Sequence, residues 1–164
     1  MPIQIRKMTD EEYDVFYRWS VDSYAKELME DGKRSLEEAV KTAQEEASRM
    51  LSSAREAEHH HLMSIEETTT QETVGFLWTL HEETNGKKQS FLCDFVILES
   101  KRRQGYGMAA LSLMERLAAE AGCKESVLFV ADKNFPARAL YQKCGYQFLR
   151  QFEHGTYMAK ALTK

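Results

Sequence analysis

The sequence predicts an α/β fold: a mixed, mostly antiparallel sheet of six or seven strands with helices on both faces. Three observations predict it. Two long stretches with helical spacing follow one short strand, and near His61 the apolar period changes to that of strands. The run Ser90–Leu98, SFLCDFVIL, is almost wholly apolar, as a central strand covered on both faces requires. That run, a helical stripe and a second buried-type strand, Ser126–Ala131, succeed one another as a βαβ unit. Those two strands are therefore expected to be parallel, with a right-handed crossover.

The elements follow in order. Ile3–Met8 is a short opening strand, and Thr9-Asp10-Glu11-Glu12 has the form of a capping box. Behind it Tyr13, Phe16, Tyr17, Ser20, Tyr24 and Leu28 keep helical spacing, with Gly32 as the stop. Ser35-Leu36-Glu37-Glu38 is a second capping box. It opens a helix whose apolar face runs Leu36, Ala39, Val40, Ala43, Ala47, Met50, Leu51 and Ala54. His61–Glu66 and Thr73–His81 read as strands, and Asn85-Gly86 is a reverse turn before the central strand. A helix runs from about Gly107 to Ala121, closed by Gly122. Asn134–Lys143 is a short helix with Pro136 in its first turn and Gly145 just past its end. Tyr146–Glu153 and Thr156–Leu162 flank His154-Gly155, read as a hairpin turn. No linker or repeat interrupts the 164 residues, which are expected to form a single domain, 1–164.

Composition excludes several classes. With 22 basic and 26 acidic residues the formal charge is −4, against the basic excess that nucleic-acid or anionic-membrane binding needs. No apolar stretch approaches the ~20 residues of a membrane helix. The opening MPIQIRKMTD lacks the apolar core of a signal peptide, so a cytoplasmic protein is expected. Cys93, Cys123 and Cys144 read as free buried thiols of a reducing compartment.

The chemistry concentrates in Lys101-Arg102-Arg103-Gln104-Gly105-Tyr106-Gly107, between the central strand and a helix. Glycines let the backbone approach a ligand closely. The helix start offers unpaired N–H groups and partial positive charge, and the basic cluster adds to it. Together these describe a cradle for phosphate or pyrophosphate. No Lys-Ser or Lys-Thr follows the second glycine, which excludes a Walker loop. Gly105, Gly107 and Ala110 satisfy G-x-G-x-x-A, but six mostly charged residues, Glu99–Gln104, separate the strand from the glycines. Only about one βα repeat follows, too little for a dinucleotide-binding oxidoreductase.

R-x-x-G-x-G in this context resembles motif A of the GNAT superfamily, the acyl-CoA-dependent N-acyltransferases. A second segment, Asn134-x-x-Ala137-x-x-Leu140-Tyr141-x-x-x-Gly145-Tyr146, resembles motif B of that family. The resemblance implies a GNAT-like domain whose central parallel pair splays so that acyl-CoA inserts between the strands. It implies transfer of the acetyl group of acetyl-CoA, as co-substrate, to a primary amine by direct attack in a ternary complex. The backbone amides of Arg103, Gln104, Gly105, Tyr106, Gly107 and Met108 would face the CoA pyrophosphate, and Arg102 would help shape the loop. Phe95, Val96 and Ile97 would bond the pantetheine arm like an added strand, and Asn134 would contact it. Tyr141 would point its hydroxyl at the CoA sulfur. One departure stands out. Many members carry a Glu about eleven residues before the Arg of motif A, where this chain has Phe91. A non-catalytic acyl-CoA sensor is the alternative that this departure raises.

Asp94 breaks the apolar central strand. A carboxylate there must find a partner, face a wet cleft or take up a proton. Structural pairing and acceptor chemistry both fit, and Asp94, alone or through water, is the residue assigned to remove the amine proton. His59-His60-His61 does not make a metal site, because successive strand residues point to opposite faces and no suitably spaced ligand completes it. No metal is expected. The partner expected is a small-molecule or peptide amine, with no nucleic acid and no membrane, for a monomer or homodimer.

Overall fold

The computed structural model describes residues 2–30 and 32–163. The chain divides into a helical hairpin, Met8–His60, and a sheet unit made of the chain up to Lys7 and from His61 onward.

In the hairpin, α1 (Asp10–Met29) starts at the capping box read in the sequence. Thr9 Oγ1 accepts from Glu12 N at 3.1 Å, and Glu12 Oε1 accepts from Thr9 N at 3.0 Å. Ser35 Oγ caps α2 (Leu36–Glu56) by accepting from Glu38 N at 3.2 Å. The two helices pack through Val21, Ala25, Ala39 and Ala43, where alanines let the backbones approach, with Tyr17, Leu28 and Val40 alongside. Tyr17 Oη lies 2.8 Å from Ser48 Oγ across the hairpin. Leu36 and Met50, assigned to the apolar face of α2 by spacing, are exposed. Leu36 stands at the first helical position, where the stripe has only begun.

The sheet unit has seven strands in the order β1-β2-β3-β4-β5-β7-β6. They are β1 (Ile3–Lys7), β2 (His60–Glu67), β3 (Thr73–Thr84), β4 (Lys87–Ile97), β5 (Glu125–Ala131), β6 (Gln147–Phe152) and β7 (Gly155–Ala161). The β4–β5 pair is parallel, and β1–β2, β3–β4, β5–β7 and β6–β7 are antiparallel. The β3–β4 hairpin is longer than its apolar pattern, because polar Glu82–Thr84 and Lys87–Gln89 pair right up to the turn. Asn85 and Gly86 take φ of 55° and 75°, the left-handed pair that a two-residue hairpin of this twist needs. At the other hairpin the turn is Glu153-His154, with Glu153 at φ 51°, and Gly155 is already in β7. Gly155 serves packing: a Cβ there would lie 2.1 Å from Phe129 Cζ.

α3 (Tyr106–Glu120) and α4 (Phe135–Lys143) cover one face of this sheet. Ile65, Leu77, Leu92, Leu128 and Met158 of the strands meet Ala110, Leu111, Met114, Tyr141 and Tyr146. Full burial of each large aliphatic side chain contributes about 1.5–3 kcal/mol. Inside this core, Tyr146 Oη lies 2.7 Å from Ser126 Oγ. Nearby, Lys160 Nζ donates to Glu115 Oε1 at 2.7 Å. The three cysteines are free, and Cys123 is the fully buried one. Among the described residues no helix is long and apolar enough to cross a membrane.

Candidate active site

A gap opens where the two parallel strands part. Residues Gln89–Leu92 of β4 pair with Glu125–Leu128 of β5. Both strands then continue, β4 to Ile97 and β5 to Ala131, outside that pairing. The cause lies on the opposite edge of β4. Trp78 pairs with Asp94 and Thr79 with Leu92, so Cys93 is an extra residue. Such a bulge bends its strand and strengthens the local twist. β4 therefore stays on β3 and turns away from β5 at the point where the parallel ladder ends. Phe95 and Val96 keep their pairing to Leu77 and Phe76, which leaves the β5-facing edge of β4 open along the gap.

The loop read in the sequence as a phosphate cradle follows at once. A short 3-10 turn, Glu99–Lys101, leads to Arg102, whose Nε donates to Ile97 O at 2.9 Å. That bond ties the loop to the end of β4 and engages one of the carbonyls read as a pantetheine contact. Arg103 takes φ 62° and Gly105 φ 90°, two left-handed residues that reverse the chain into α3. The first α3 bond runs from Ala109 N to Gly105 O at 3.2 Å, so the N–H groups of Tyr106, Gly107 and Met108 precede the ladder. No acidic residue stands in that first turn. Arg102, Arg103, Gln104, Gly105 and Met108 are exposed around it. A Cβ at Gly107 would meet Leu140 Cδ2 at 3.4 Å, so this glycine also seats α3 against α4.

Two struts brace the loop, from the end of β2 and from the turn after it, and no local pattern announces either. The Tyr106 ring is buried, and its hydroxyl donates to Glu67 Oε2 at 2.5 Å. Lys101 Nζ donates to Glu72 Oε2 at 2.6 Å, which takes Lys101 out of the basic cluster read as free for a ligand. Thr69 Oγ1 donates to the other Glu67 oxygen at 2.6 Å. The Thr69 and Tyr106 hydroxyls hold the Glu67 carboxyl below its usual range, and the bond to Glu67 raises the Tyr106 phenol. The bond to Glu72 likewise raises Lys101.

Motif B forms the wall of α4. Asn134 Oδ1 accepts from Ala137 N at 3.3 Å and caps the helix. Tyr141 is 8% exposed and packs edge-on against Tyr146, ring centroids 5.9 Å apart. Burial pushes its phenol up to about 12, and the negative charge of Asp94 adds to the rise. Asp94 stands on the other face of the sheet. Phe95, opposite Leu77, packs on the α3–α4 core, so its neighbour Asp94, opposite Trp78, points away from it. The structure thus brings Asp94 and Tyr141 within electrostatic reach of each other beside the gap, from opposite sides. Cys93, at the bulge, is pushed up to about 12 by burial, with Asp94 and Glu82 adding to it. It stays a thiol at neutral pH and is a poor nucleophile.

The histidines lie elsewhere on the sheet. The His61 and His81 rings meet at 4.6 Å across β2 and β3. Among the described residues no group of three or more His, Cys, Asp or Glu side chains is arranged to hold a metal ion.

Comparison with known proteins bears on this geometry. The model of the acetyltransferase (GNAT) family matches residues 13–146. The uncharacterized N-acetyltransferase YdgE of Bacillus subtilis is 30% identical over 147 residues, 89% of this chain and 92% of that protein. The crystal structure of YycN of Bacillus subtilis, an uncharacterized N-acetyltransferase, superposes with a TM-score of 0.81 at 28% identity, covering 92% of this chain and 95% of that one. Spermidine N-acetyltransferase from Vibrio cholerae, solved with CoA and spermine, gives a TM-score of 0.70 at 12% identity. That match covers 98% of this chain and 96% of that one, and it speaks for the fold alone.

Proposed function

The chain belongs to the acetyltransferase (GNAT) family, and from that premise we propose that it moves the acetyl group of acetyl-CoA to a primary amine of a small molecule or peptide, by direct attack in a ternary complex. One observation carries the proposal. The braced phosphate loop opens onto the gap between β4 and β5, with Tyr141 on one side of the gap and Asp94 on the other. The solved structure with CoA and spermine is that of a spermidine N-acetyltransferase of the same fold, and it holds CoA together with an amine.

Each group has a role in this reading. The amides at the start of α3, with Arg103, receive the pyrophosphate. The open edge of β4 at Phe95 and Val96, with Asn134, takes the pantetheine arm as an added strand. The neutral amine attacks the thioester carbonyl, and a C–N bond forms. Strand N–H groups stabilise the oxyanion. The C–S bond then breaks, and the Tyr141 hydroxyl protonates the departing thiolate. Asp94, alone or through water, takes the proton that the amine nitrogen gives up. A phenol held near 12 keeps its proton at neutral pH, as a general acid requires. Residues 1–164 act as one N-acetyltransferase domain in this reading, and the family match from 13 to 146 spans both structural units.

Phe91, at the place of the family's usual Glu, favours a second reading, an acyl-CoA sensor without turnover. A screen of amine classes for release of free CoA thiol separates the two. Release with at least one amine is expected. Tight acetyl-CoA binding with no release across the panel would leave the sensor.

A further inference from the structure

The face of the sheet opposite α3 and α4 carries a ladder of large side chains. Phe129 of β5, Tyr157 of β7 and Arg150 of β6 stand directly opposite one another in register. The Tyr157 ring lies 4.9 Å from Phe129, 6.3 Å from Phe91 and 6.4 Å from Phe152. Phe129 is 40% and Phe152 49% exposed, so these rings form a wall, not a sealed core. The Arg150 guanidinium lies over the Tyr157 ring, 4.3 Å from its centroid. Among the described residues no carboxylate pairs with it. A guanidinium stacked this way keeps its outer N–H fork for a carboxylate.

The wall adjoins the reaction gap. Leu80 pairs with Phe91 and Trp78 with Asp94, and alternation along β3 puts Phe91 and Asp94 on the same face. The other side of the gap is filled by α3 and α4 with Tyr141. An amine therefore reaches the thioester from the face that holds Asp94 and the wall. Paired strands lie about 4.8 Å apart, and β4 and β5 have parted here, so the middle of the gap and the space over β7 are at least one and a half spacings apart, roughly 7 Å or more.

We propose that this wall is the acceptor's subsite and that it selects a primary amine joined by an apolar spacer to a carboxylate roughly 7 Å or more away. The amine sits in the gap beside Asp94, the spacer crosses Phe129 and Tyr157, and the carboxylate meets Arg150. The class is an ω-amino carboxylate. A simple alkylamine lacks the anion, and β-alanine is too short to span the distance. The inference rests on the acetyl-transfer reading and deepens it.

The test compares 6-aminohexanoate, hexylamine and β-alanine as acceptors of the full-length protein, by thiol release at saturating acetyl-CoA. The carboxylate–guanidinium contact predicts that kcat/KM for 6-aminohexanoate exceeds that for the other two by roughly ten- to a hundredfold. Arg150→Gln should collapse that ratio toward one by raising KM with little change in kcat, and Arg150→Lys should restore part of it. Hexylamine used as well as 6-aminohexanoate, or a preference that survives Arg150→Gln, would overturn the inference. If no amine turns over, the acetyl-transfer reading is what fails. Calorimetry on the CoA-saturated protein then decides this one. Binding of 6-acetamidohexanoate in preference to N-hexylacetamide, lost in Arg150→Gln, supports the subsite, and equal or absent binding overturns it.

Discussion

In the proposed reaction Tyr141 and Asp94 divide the proton traffic between them. Tyr141 is enclosed by the α3–α4 core, so burial makes its ionised form costly, and the nearby Asp94 charge makes it costlier. A phenol held at about 12 contributes no alkaline limb to a rate profile between about pH 7 and about pH 10. Tyr141→Phe keeps the ring and removes only the donor. A thiolate is a fair leaving group, with a free thiol near ~8.5. The loss in kcat should therefore sit at the low end of general acid catalysis, roughly ten- to a hundredfold. Steady-state kinetics, with acetyl-CoA affinity measured separately and little changed, checks this. Asp94→Asn should slow turnover most at low pH, where the amine is already protonated, and should leave acetyl-CoA binding nearly intact. A flat ratio of variant to wild-type rates across pH would return Asp94 to a structural role. What the sequence made legible is that these two residues stand out, for different reasons. Tyr141 stood in a segment with a family spacing, and Asp94 was a lone charge in an apolar strand.

At the scale of elements, local signals translated directly and long-range ones did not. Thr9 with Glu12, Asn85-Gly86, and Gly122 at φ 95° act on neighbours within a few residues, and each marks its element as read. The bulge at Cys93 depends on how β4 registers on β3, and nothing in SFLCDFVIL announces it. The struts Tyr106–Glu67 and Lys160–Glu115 join residues 39 and 45 positions apart, beyond any local pattern. Glu67 looked like one more charge in a polar turn. It braces the loop proposed to hold the CoA pyrophosphate. Glu67→Gln or Tyr106→Phe should weaken acetyl-CoA binding several-fold with kcat largely kept. The double variant should be little worse than either single one, because both remove the same bond. The pH dependence has a definite sign. The folded-state value of Glu67 lies below the ordinary carboxylate value of about 4.3, so the strut's contribution is full above that value. It is lost as pH falls through the lowered one, and thermal melts in acid, wild type against Glu67→Gln, should converge there.

Across the whole molecule the charge of −4 hides an uneven distribution. Met8–His60 holds 7 basic and 14 acidic residues, a net of −7, whereas the remainder holds 15 basic and 12 acidic, a net of +3. The unit with the loop proposed for CoA is thus the basic one, as a polyanionic co-substrate favours. Acetyl-CoA affinity should fall as ionic strength rises from low salt to about 0.15 M, because exposed Arg103 is screened over a Debye length of about 8 Å. An affinity indifferent to salt would place the binding in the neutral amides alone. The class of fold was legible because strand and helix periods alternate in one order along the chain. The splay was legible only through the family resemblance, since periodicity carries no information on where a ladder ends.

The proposed function stands on acetyl-CoA being held by the loop at Arg102–Met108 and the gap beyond Leu92. Calorimetric titration of acetyl-CoA into the wild-type protein and into Gly105→Val, with the variant's fold verified by circular dichroism and melting, tests it most directly. Gly105 stands at φ 90° at the entry to α3, where a branched side chain both resists the backbone and crowds the amides. Saturable binding to the wild type is expected, with NADH unable to compete, and its loss in the folded variant. Absence of binding to the wild type, or undiminished binding to the folded Gly105→Val protein, would contradict it.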